Sequence, residues 1–169
     1  VFCDLSTPKK PYSEYVYGKD FDAYNDLKHK LIERGIPENE IAFIHDANTD
    51  RAKQDLFDKI NAGAVRVLIG STEKCGAGTN VQKRLVAIHH LDAPYRPRDL
   101  IQRNGRGIRQ GNMNKGIRIY TYATERTFDS YSYQILENKQ RFISQVEKGD
   151  MTVREADDID EATLSYAEI

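Results

Sequence analysis

The regular alternation of short apolar runs with longer amphipathic stretches limits the fold of this chain more than any other feature. The apolar runs cover residues 1–5, 41–45, 65–69, 85–91 and 117–122, a length typical of buried strands. The amphipathic stretches cover residues 21–33, 51–62 and 98–103, and a long one runs from 127 to about 148. Strands that alternate with helices form a parallel sheet with helices on both faces. The sequence therefore predicts an α/β domain with a doubly wound parallel sheet and a C-terminal helical extension.

Residues at the ends of the predicted helices support these bounds. Gly35 and Gly63 follow helical patterns at positions where a helix commonly ends on a glycine. Asp50 and Thr127 precede or open helical patterns, and their side-chain oxygens are suited to accepting the first unpaired backbone N–H groups. We therefore predict that Asp50 and Thr127 are N-caps.

The length of 169 residues suits one compact α/β domain. We predict that this domain covers residues 1–149 and that residues 150–169 form an acidic, helical tail. The tail holds seven acidic residues against Arg154, while the body holds 24 basic and 19 acidic residues, a net charge of about +5. A basic body suits a partner that carries phosphates, although an excess of this size is also common by chance. The chain opens inside an apolar run without Met, so we expect it to belong to a longer polypeptide.

Several features narrow the class of protein further. No apolar stretch approaches the roughly 20 residues that cross a bilayer, which predicts a soluble protein. Cys3 and Cys75 are too few for a disulfide framework and do not form a Cys-x-x-Cys metal pair. His89 and His90 fall in a predicted strand, whose alternation buries one side chain and turns the other outward. We therefore expect a cytoplasmic protein with buried thiols and no metal site.

A loop rich in small residues follows the apolar run at residues 65–69, at the end of a strand where ligands of parallel sheets gather. It begins Gly70-Ser71-Thr72 and continues to Asn80. Glycines let backbone N–H groups approach a phosphate closely, and the hydroxyl of Ser71 or Thr72 can donate as well. The same residues are consistent with a flexible turn between a strand and a helix. From the residues alone, both interpretations stay open.

A stretch rich in arginine follows the apolar run at residues 85–91. It contains Arg98, Arg103, Arg106 and Arg109, and the last two are spaced to project from one face of a helical turn. The planar fork of arginine is suited to phosphoryl oxygens, and a solvated basic helix face is the alternative.

The motifs that complete a nucleoside triphosphatase are absent from this sequence. It contains no Gly-x-x-x-x-Gly-Lys-Ser/Thr phosphate loop, and no Asp-Glu pair closes an apolar strand. We therefore expect this chain to act on phosphate as half of a site.

Two motifs in these stretches resemble a known family. Gln102-x-x-Gly105-Arg106-x-x-Arg109 resembles motif VI of superfamily-two helicases, and Ser71-Thr72 through Gly76-x-Gly78-x-Asn80 resembles motif V. The nearest resemblance is to Swi/Snf-type DNA translocases, through Asp92, Pro97, Gln102, Arg106, Arg109 and Gly111. This sequence departs from that family at Tyr95, Cys75 and Asn112, where Trp, Gly and Gln are usual. The opening Phe2-Cys3-Asp4-Leu5-Ser6-Thr7-Pro8 and the acidic tail are similar to helicase regions fused to adenine-specific DNA methylases of phages and mobile elements.

The resemblance implies a RecA-like C-terminal helicase lobe that shares an ATP site with a first lobe of the same parent chain. ATP with Mg²⁺ would bind between the lobes, where Arg109 would act as the arginine finger with Arg106 beside it on the γ-phosphate. The other residues implied at the nucleotide are Gly78, Asn80 and Gln102. The residues implied at DNA are Arg51, Thr72, Lys74 and Tyr95. The DNA contacts would go mainly to backbone phosphates and would be independent of sequence.

Two other functions remain open. One is a degenerate lobe that binds nucleic acid or protein without hydrolysis, although the intact arginine pair argues against it. The other is an unrelated nucleotide-binding domain, which would need a phosphate site after the first strand, where residues 6–10 contain no glycine. The sequence does not distinguish DNA from RNA as the partner.

Overall fold

The computed structural model describes residues 1–76 and 80–147. Its strands are β1 (Ile41–Phe43), β2 (Val67–Ile69), β3 (Ala87–His90) and β4 (Arg118–Thr121). Its α-helices are α1 (Ala23–Glu33), α2 (Asp50–Ala62), α3 (Thr72–Gly76), α4 (Pro97–Gly105) and α5 (Phe128–Glu147). Short 3₁₀ turns lie at Tyr12–Glu14, Glu38–Glu40 and Ile44–Asp46.

The strands form one parallel arrangement with the start of the chain at its centre. β1 pairs with β2, and β3 pairs with β4, both in parallel register. Phe2 joins the two pairs, because it bridges in parallel to Gly70 on one side and to His90 on the other. The Phe2 N–H donates to the His89 carbonyl at 2.8 Å, and the Cys3 N–H donates to the Gly70 carbonyl at 3.1 Å. The order across the sheet is therefore β1, β2, residues 1–3, β3, β4.

Apolar side chains cover both faces of this sheet. Phe2 and Cys3 are neighbours in a strand and point to opposite faces, so each belongs to a different buried cluster. Phe57 of α2 packs in the Phe2 cluster, and Tyr24 of α1 packs in the Cys3 cluster. Helices thus lie on both faces, and the predicted doubly wound α/β fold is confirmed.

The helix ends match the predictions with one exception. Gly63 ends α2 in the left-handed conformation at φ +89°, and Gly35 follows α1 at φ +91°. The Asp129 N–H donates to Thr127 Oγ1 at 3.3 Å as α5 begins, so Thr127 is the cap that the sequence predicts. The prediction for Asp50 is wrong. The extended residue Thr49 caps α2 by accepting from the Ala52 N–H at 3.1 Å, and Asp50 already lies in the first turn.

The regular elements are shorter than the apolar runs that predict them. β1 ends at Phe43 because Ile44–Asp46 turns into a 3₁₀ helix, and only Phe2 of residues 1–5 makes ladder bridges. The small-residue loop contains the short helix α3. The predicted acidic tail at residues 150–169 lies outside the described residues, as does its boundary. Among residues 1–76 and 80–147, no helix is long and apolar enough to span a membrane, and no cluster of metal-ligating side chains occurs.

Candidate functional site

The carboxyl ends of the central strands open into a cleft of about 560 Å³. Its lining residues are Asp4, Thr7, His45, Ser71, Thr72, Glu73, Lys74, Asp99 and Gln102. The cleft therefore brings together Thr72 and Lys74, which the sequence assigns to DNA, and Gln102, which it assigns to the nucleotide. These residues come from α3 and α4, which are the two elements that follow β2 and β3.

Arg103 lies directly beneath this cleft and is 1% exposed. Its Nη2 lies 2.7 Å from Asp4 Oδ2 and 3.1 Å from Asp92 Oδ1, so one guanidinium balances two carboxylates. Its Nε donates to Thr72 Oγ1 at 2.7 Å, and its Nη1 donates to the Asp92 carbonyl at 2.9 Å. Buried charges are expected to be paired and hydrogen-bonded in this way. Arg103 thereby ties α4 to the ends of three strands.

Thr72 is held by Asp4 through both of its hydrogen-bond donors. The Thr72 N–H donates to Asp4 Oδ1 at 2.6 Å, and its hydroxyl lies 2.8 Å from Asp4 Oδ2. The hydroxyl accepts from Arg103, so its single proton is directed at Asp4. A phosphate contact by Thr72 therefore stays a prediction, and a hydrogen bond donated to phosphate would have to replace one to Asp4.

The two motifs also meet at the far end of α4. Arg109 is exposed, and its Nη1 donates to Asn80 Oδ1 at 3.4 Å. Arg106 is 7% exposed, and its burial, followed by the nearby charge of Arg109, lowers its pKa. Arg109 and Asn80, which the resemblance places at the nucleotide, thus lie together, while Gly78 lies outside the described residues; their nucleotide role stays a prediction.

Arg106 and Arg109 do not share a helical turn, which corrects the prediction from their spacing. α4 ends at Gly105, Arg106 is its C-cap, and Arg109 lies in the bend that follows. Gly107 passes so close to Ile117 that an added Cβ would clash with its Cδ1. A larger residue at this exit from the helix would require the Ile117 side chain to move, and the chain beyond it carries Arg109 towards Asn80.

The remaining predicted DNA residues lie apart from the cleft lining. Arg51 is exposed in the first turn of α2. Tyr95 is 83% exposed, and Lys139 Nζ lies 5.2 Å from its ring centre. Of the four residues assigned to DNA, the cleft therefore gathers Thr72 and Lys74 only.

Sequence reasoning missed three residues of this site. Asp4 and Arg103 carry charges that normally lie on surfaces, and nothing local in the sequence marks them as buried partners. His45 also lines the cleft, with its ring edge-on to Tyr24 at 5.2 Å. Burial, followed by the charge of Lys74, lowers the pKa of His45. The one available signal was position, because Asp4 and His45 both lie at the ends of apolar runs, at the carboxyl edge of the sheet.

The two neighbouring histidines divide as their strand alternation predicts. His90 is fully buried, and its Nε2 lies 2.8 Å from Asn104 Oδ1. His89 is partly exposed, and its ring stacks on the ring of Tyr120 in β4. Burial lowers the pKa of His90 below its usual value of about 6.5. There is therefore a range of pH in which His90 is neutral in the folded chain, whereas a histidine of the unfolded chain is already protonated.

Acid should destabilise this chain already below about pH 6.5. In that range the unfolded state binds a proton that folded His90 does not, so the free energy of unfolding falls as pH falls. The slope for one histidine is at most about 1.4 kcal/mol per pH unit, and His45 and His89, whose pKa values are also lowered, act in the same direction. Urea unfolding between pH 7.5 and 5.5 measures this slope, and His90→Gln should make it shallower. An equal slope in wild type and variant would contradict the assignment to His90.

Three comparisons relate this chain to known proteins. The profile of the family described as "Helicase conserved C-terminal domain" matches residues 13–111. "Defense against restriction protein B" of Escherichia phage P1 is 32% identical over 103 residues, which are 59% of this chain and 5% of that protein. The solved structure of the C-terminal part of the Fun30 ATPase domain superposes with a TM-score of 0.54 at 21% identity, covering 65% of this chain and 34% of that one. The chain therefore corresponds to a small part of the phage protein and about a third of the solved one.

Proposed function

Because the chain belongs to the helicase conserved C-terminal domain family, we propose that it is the second motor lobe of an ATP-dependent DNA helicase or translocase. The observation that carries the proposal is that the two stretches singled out in the sequence, the small-residue loop and the arginine stretch, contact each other at both ends of α4. Thr72, Lys74 and Gln102 line one cleft near its start, and Arg109 bonds Asn80 beyond its C-terminal end. A lobe of this kind contributes to two sites, one for nucleotide and one for nucleic acid.

At the nucleotide site, ATP with Mg²⁺ binds between this lobe and a first lobe that carries the phosphate loop. Arg109 is exposed and reaches the γ-phosphate as the arginine finger, with Arg106 beside it. The finger stabilises the negative charge that develops as the terminal phosphoryl group leaves. Asn80, Gly78 and Gln102 line the nucleotide side. This chain alone is inactive in hydrolysis, because its sequence contains no phosphate loop to hold the triphosphate.

At the DNA site, the cleft and its surroundings contact backbone phosphates of one strand. Lys74 is exposed on α3 within the cleft, and Arg51 is exposed at the start of α2. Both helices follow strands of the parallel sheet, so their first turns lie at its carboxyl edge. Tyr95 offers an exposed ring for stacking near that edge. Thr72 donates a hydrogen bond to a phosphate once it releases one of its hydrogen bonds to Asp4. Closure on ATP and opening after hydrolysis then move the two lobes along DNA.

Binding of duplex DNA by this chain should be weak, independent of sequence and strongly dependent on salt. Two charged phosphate contacts, by Arg51 and Lys74, imply that log K falls with log salt at a slope of about −2, and the neutral Thr72 adds nothing to this slope. Affinity should then fall roughly 12-fold between 50 and 200 mM salt. Fluorescence anisotropy with a labelled duplex of arbitrary sequence measures this slope.

A matched pair of variants locates the DNA surface. Lys74→Gln should make the slope shallower by about 1, because it removes one phosphate contact. Lys59→Gln removes the same charge from an exposed residue in the last turn of α2, at the opposite edge of the sheet, and should leave the slope unchanged. An equal effect of both variants, or binding that survives molar salt, would place the contact elsewhere.

A further inference from the structure

We propose that Arg103 is a positioning residue that couples the nucleotide side of the lobe to its DNA side. The inference rests on the proposed function and adds a residue that neither helicase motif resemblance assigned a role. Arg103 follows Gln102 on α4, yet its side chain points into the domain, and its guanidinium is completely buried.

The hydrogen bonds of Arg103 use the whole guanidinium. An arginine has five N–H donors in a fixed plane, and five acceptors surround this one. Nε donates to Thr72 Oγ1, Nη1 faces the Asp92 carbonyl and His90 Nδ1, and Nη2 faces the Asp4 and Asp92 carboxylates. The distances run from 2.7 Å to Thr72 and Asp4 up to 3.5 Å to His90. A lysine has no planar fork and could not reproduce this set of bonds.

The partners of Arg103 stand on the elements that form the two sites. Asp4 follows the central strand, Asp92 follows β3, and Thr72 begins α3, which also carries Lys74. Arg103 itself lies on α4, whose C-terminal end leads into Arg106 and Arg109. A displacement of α4 that accompanies nucleotide binding therefore moves Arg103, and through Thr72 and Asp4 it moves the start of α3.

A buried ion pair is weak evidence for stability alone, because well-packed apolar residues often hold a fold as well. What a planar arginine adds is a fixed distance between three chain segments. Asp4 strengthens this link, since its carboxylate accepts from Arg103 and from both donors of Thr72. Through these hydrogen bonds of the buried guanidinium, a shift of α4 is transmitted to Thr72 and Lys74, the residues of α3 assigned to DNA.

The test uses the full-length protein that contains both lobes and measures ATP hydrolysis with and without saturating duplex DNA. The readout is the ratio of the two rates, since partial unfolding lowers both rates together and leaves the ratio unchanged. Arg103→Lys keeps the charge and loses the fork, so the ratio should fall at least about fivefold, the lower end of typical coupling between sites. Arg98→Lys makes the same change at an exposed position of α4 and should leave the ratio unchanged. Leu136→Ala removes a buried α5 side chain and should lower stability without changing the ratio.

A double-mutant cycle tests the path through Asp4. Asp4→Asn should also lower the ratio, and the double variant with Arg103→Lys should fall no further than the lower single variant, because both act on one link. Independent, multiplying effects would overturn the proposal, as would an unchanged ratio in Arg103→Lys or an equal fall in Leu136→Ala.

If wild type hydrolyses ATP faster with DNA while Arg103→Lys keeps the full ratio, only the coupling role fails. If DNA does not accelerate wild type at all, the proposed function and the coupling role are both overturned.

Discussion

Arg109→Ala in the full-length protein is expected to lower the rate of ATP hydrolysis by about a thousandfold or more. An arginine finger acts on charge that develops only in the transition state, so its loss lowers turnover far more than it lowers ground-state binding. The fold should be almost unaffected, since Arg109 is exposed and surface substitutions usually change stability by about 0.5 kcal/mol or less. Steady-state hydrolysis with DNA in excess, together with thermal melts of the same preparations, measures both quantities.

Two further variants distinguish an arginine finger at Arg109 from a general effect of positive charge on the rate of ATP hydrolysis. Arg109→Lys should recover little activity, because a point charge lacks the fork that reaches two phosphoryl oxygens. Arg98→Ala removes an exposed arginine from the first turns of α4 and should hydrolyse ATP at nearly the wild-type rate. Near-normal hydrolysis in Arg109→Ala would refute the central functional proposal and would favour a lobe that binds without hydrolysing.

Arg103→Ala should destabilise this chain by about 3–5 kcal/mol. The substitution leaves two carboxylates, those of Asp4 and Asp92, without their buried cation. It also removes one of the two partners of the Thr72 hydroxyl and opens a space beside Phe2, whose ring lies 5.3 Å from the guanidinium carbon. Urea unfolding of the 169-residue chain at neutral pH measures the loss.

Arg66→Ala is the matched control for that measurement. Arg66 also pairs with a carboxylate at short range, since its Nη2 lies 2.8 Å from Glu40 Oε2, but its side chain is 61% exposed. Exposed pairs are worth about 1 kcal/mol or less because water screens and competes for both charges. A loss from Arg103→Ala no larger than that from Arg66→Ala would show that burial does not set the contribution of this arginine.

Much of the candidate site could be predicted from local patterns. The small-residue loop and the arginine stretch each follow an apolar run, and parallel strands bring such segments to one edge. Thr72, Lys74 and Gln102 line the cleft at that edge accordingly, whereas Asn80 and Arg109 meet beyond the C-terminal end of α4. The spacing of Arg106 and Arg109 predicted a shared helical turn wrongly, because α4 ends at Gly105 and Arg109 lies in the bend that follows.

Arg103 shows why the rest of the site could not be predicted from the sequence. In the sequence it is one of four arginines in a basic stretch, and such residues are mostly exposed. Its acceptors come from positions 99, 31 and 11 residues away along the chain. The resemblance assigned Thr72 to a DNA phosphate, whereas Asp4, 68 residues away, accepts from both of its hydrogen-bond donors.

By itself, the sequence determined the α/β class and the positions of most helices and strands, and it predicted which segments carry phosphate-binding chemistry. These depend on periodicity, caps and motif spacing, which are properties of neighbouring residues. Tertiary structure alone decided that residues 1–3 lie at the centre of the sheet, between β2 and β3, and that the ends of three strands converge on one buried guanidinium. The physical reason is that strand order and the pairing of buried charges depend on long-range packing. A charged residue is buried only where the fold supplies all of its partners at once.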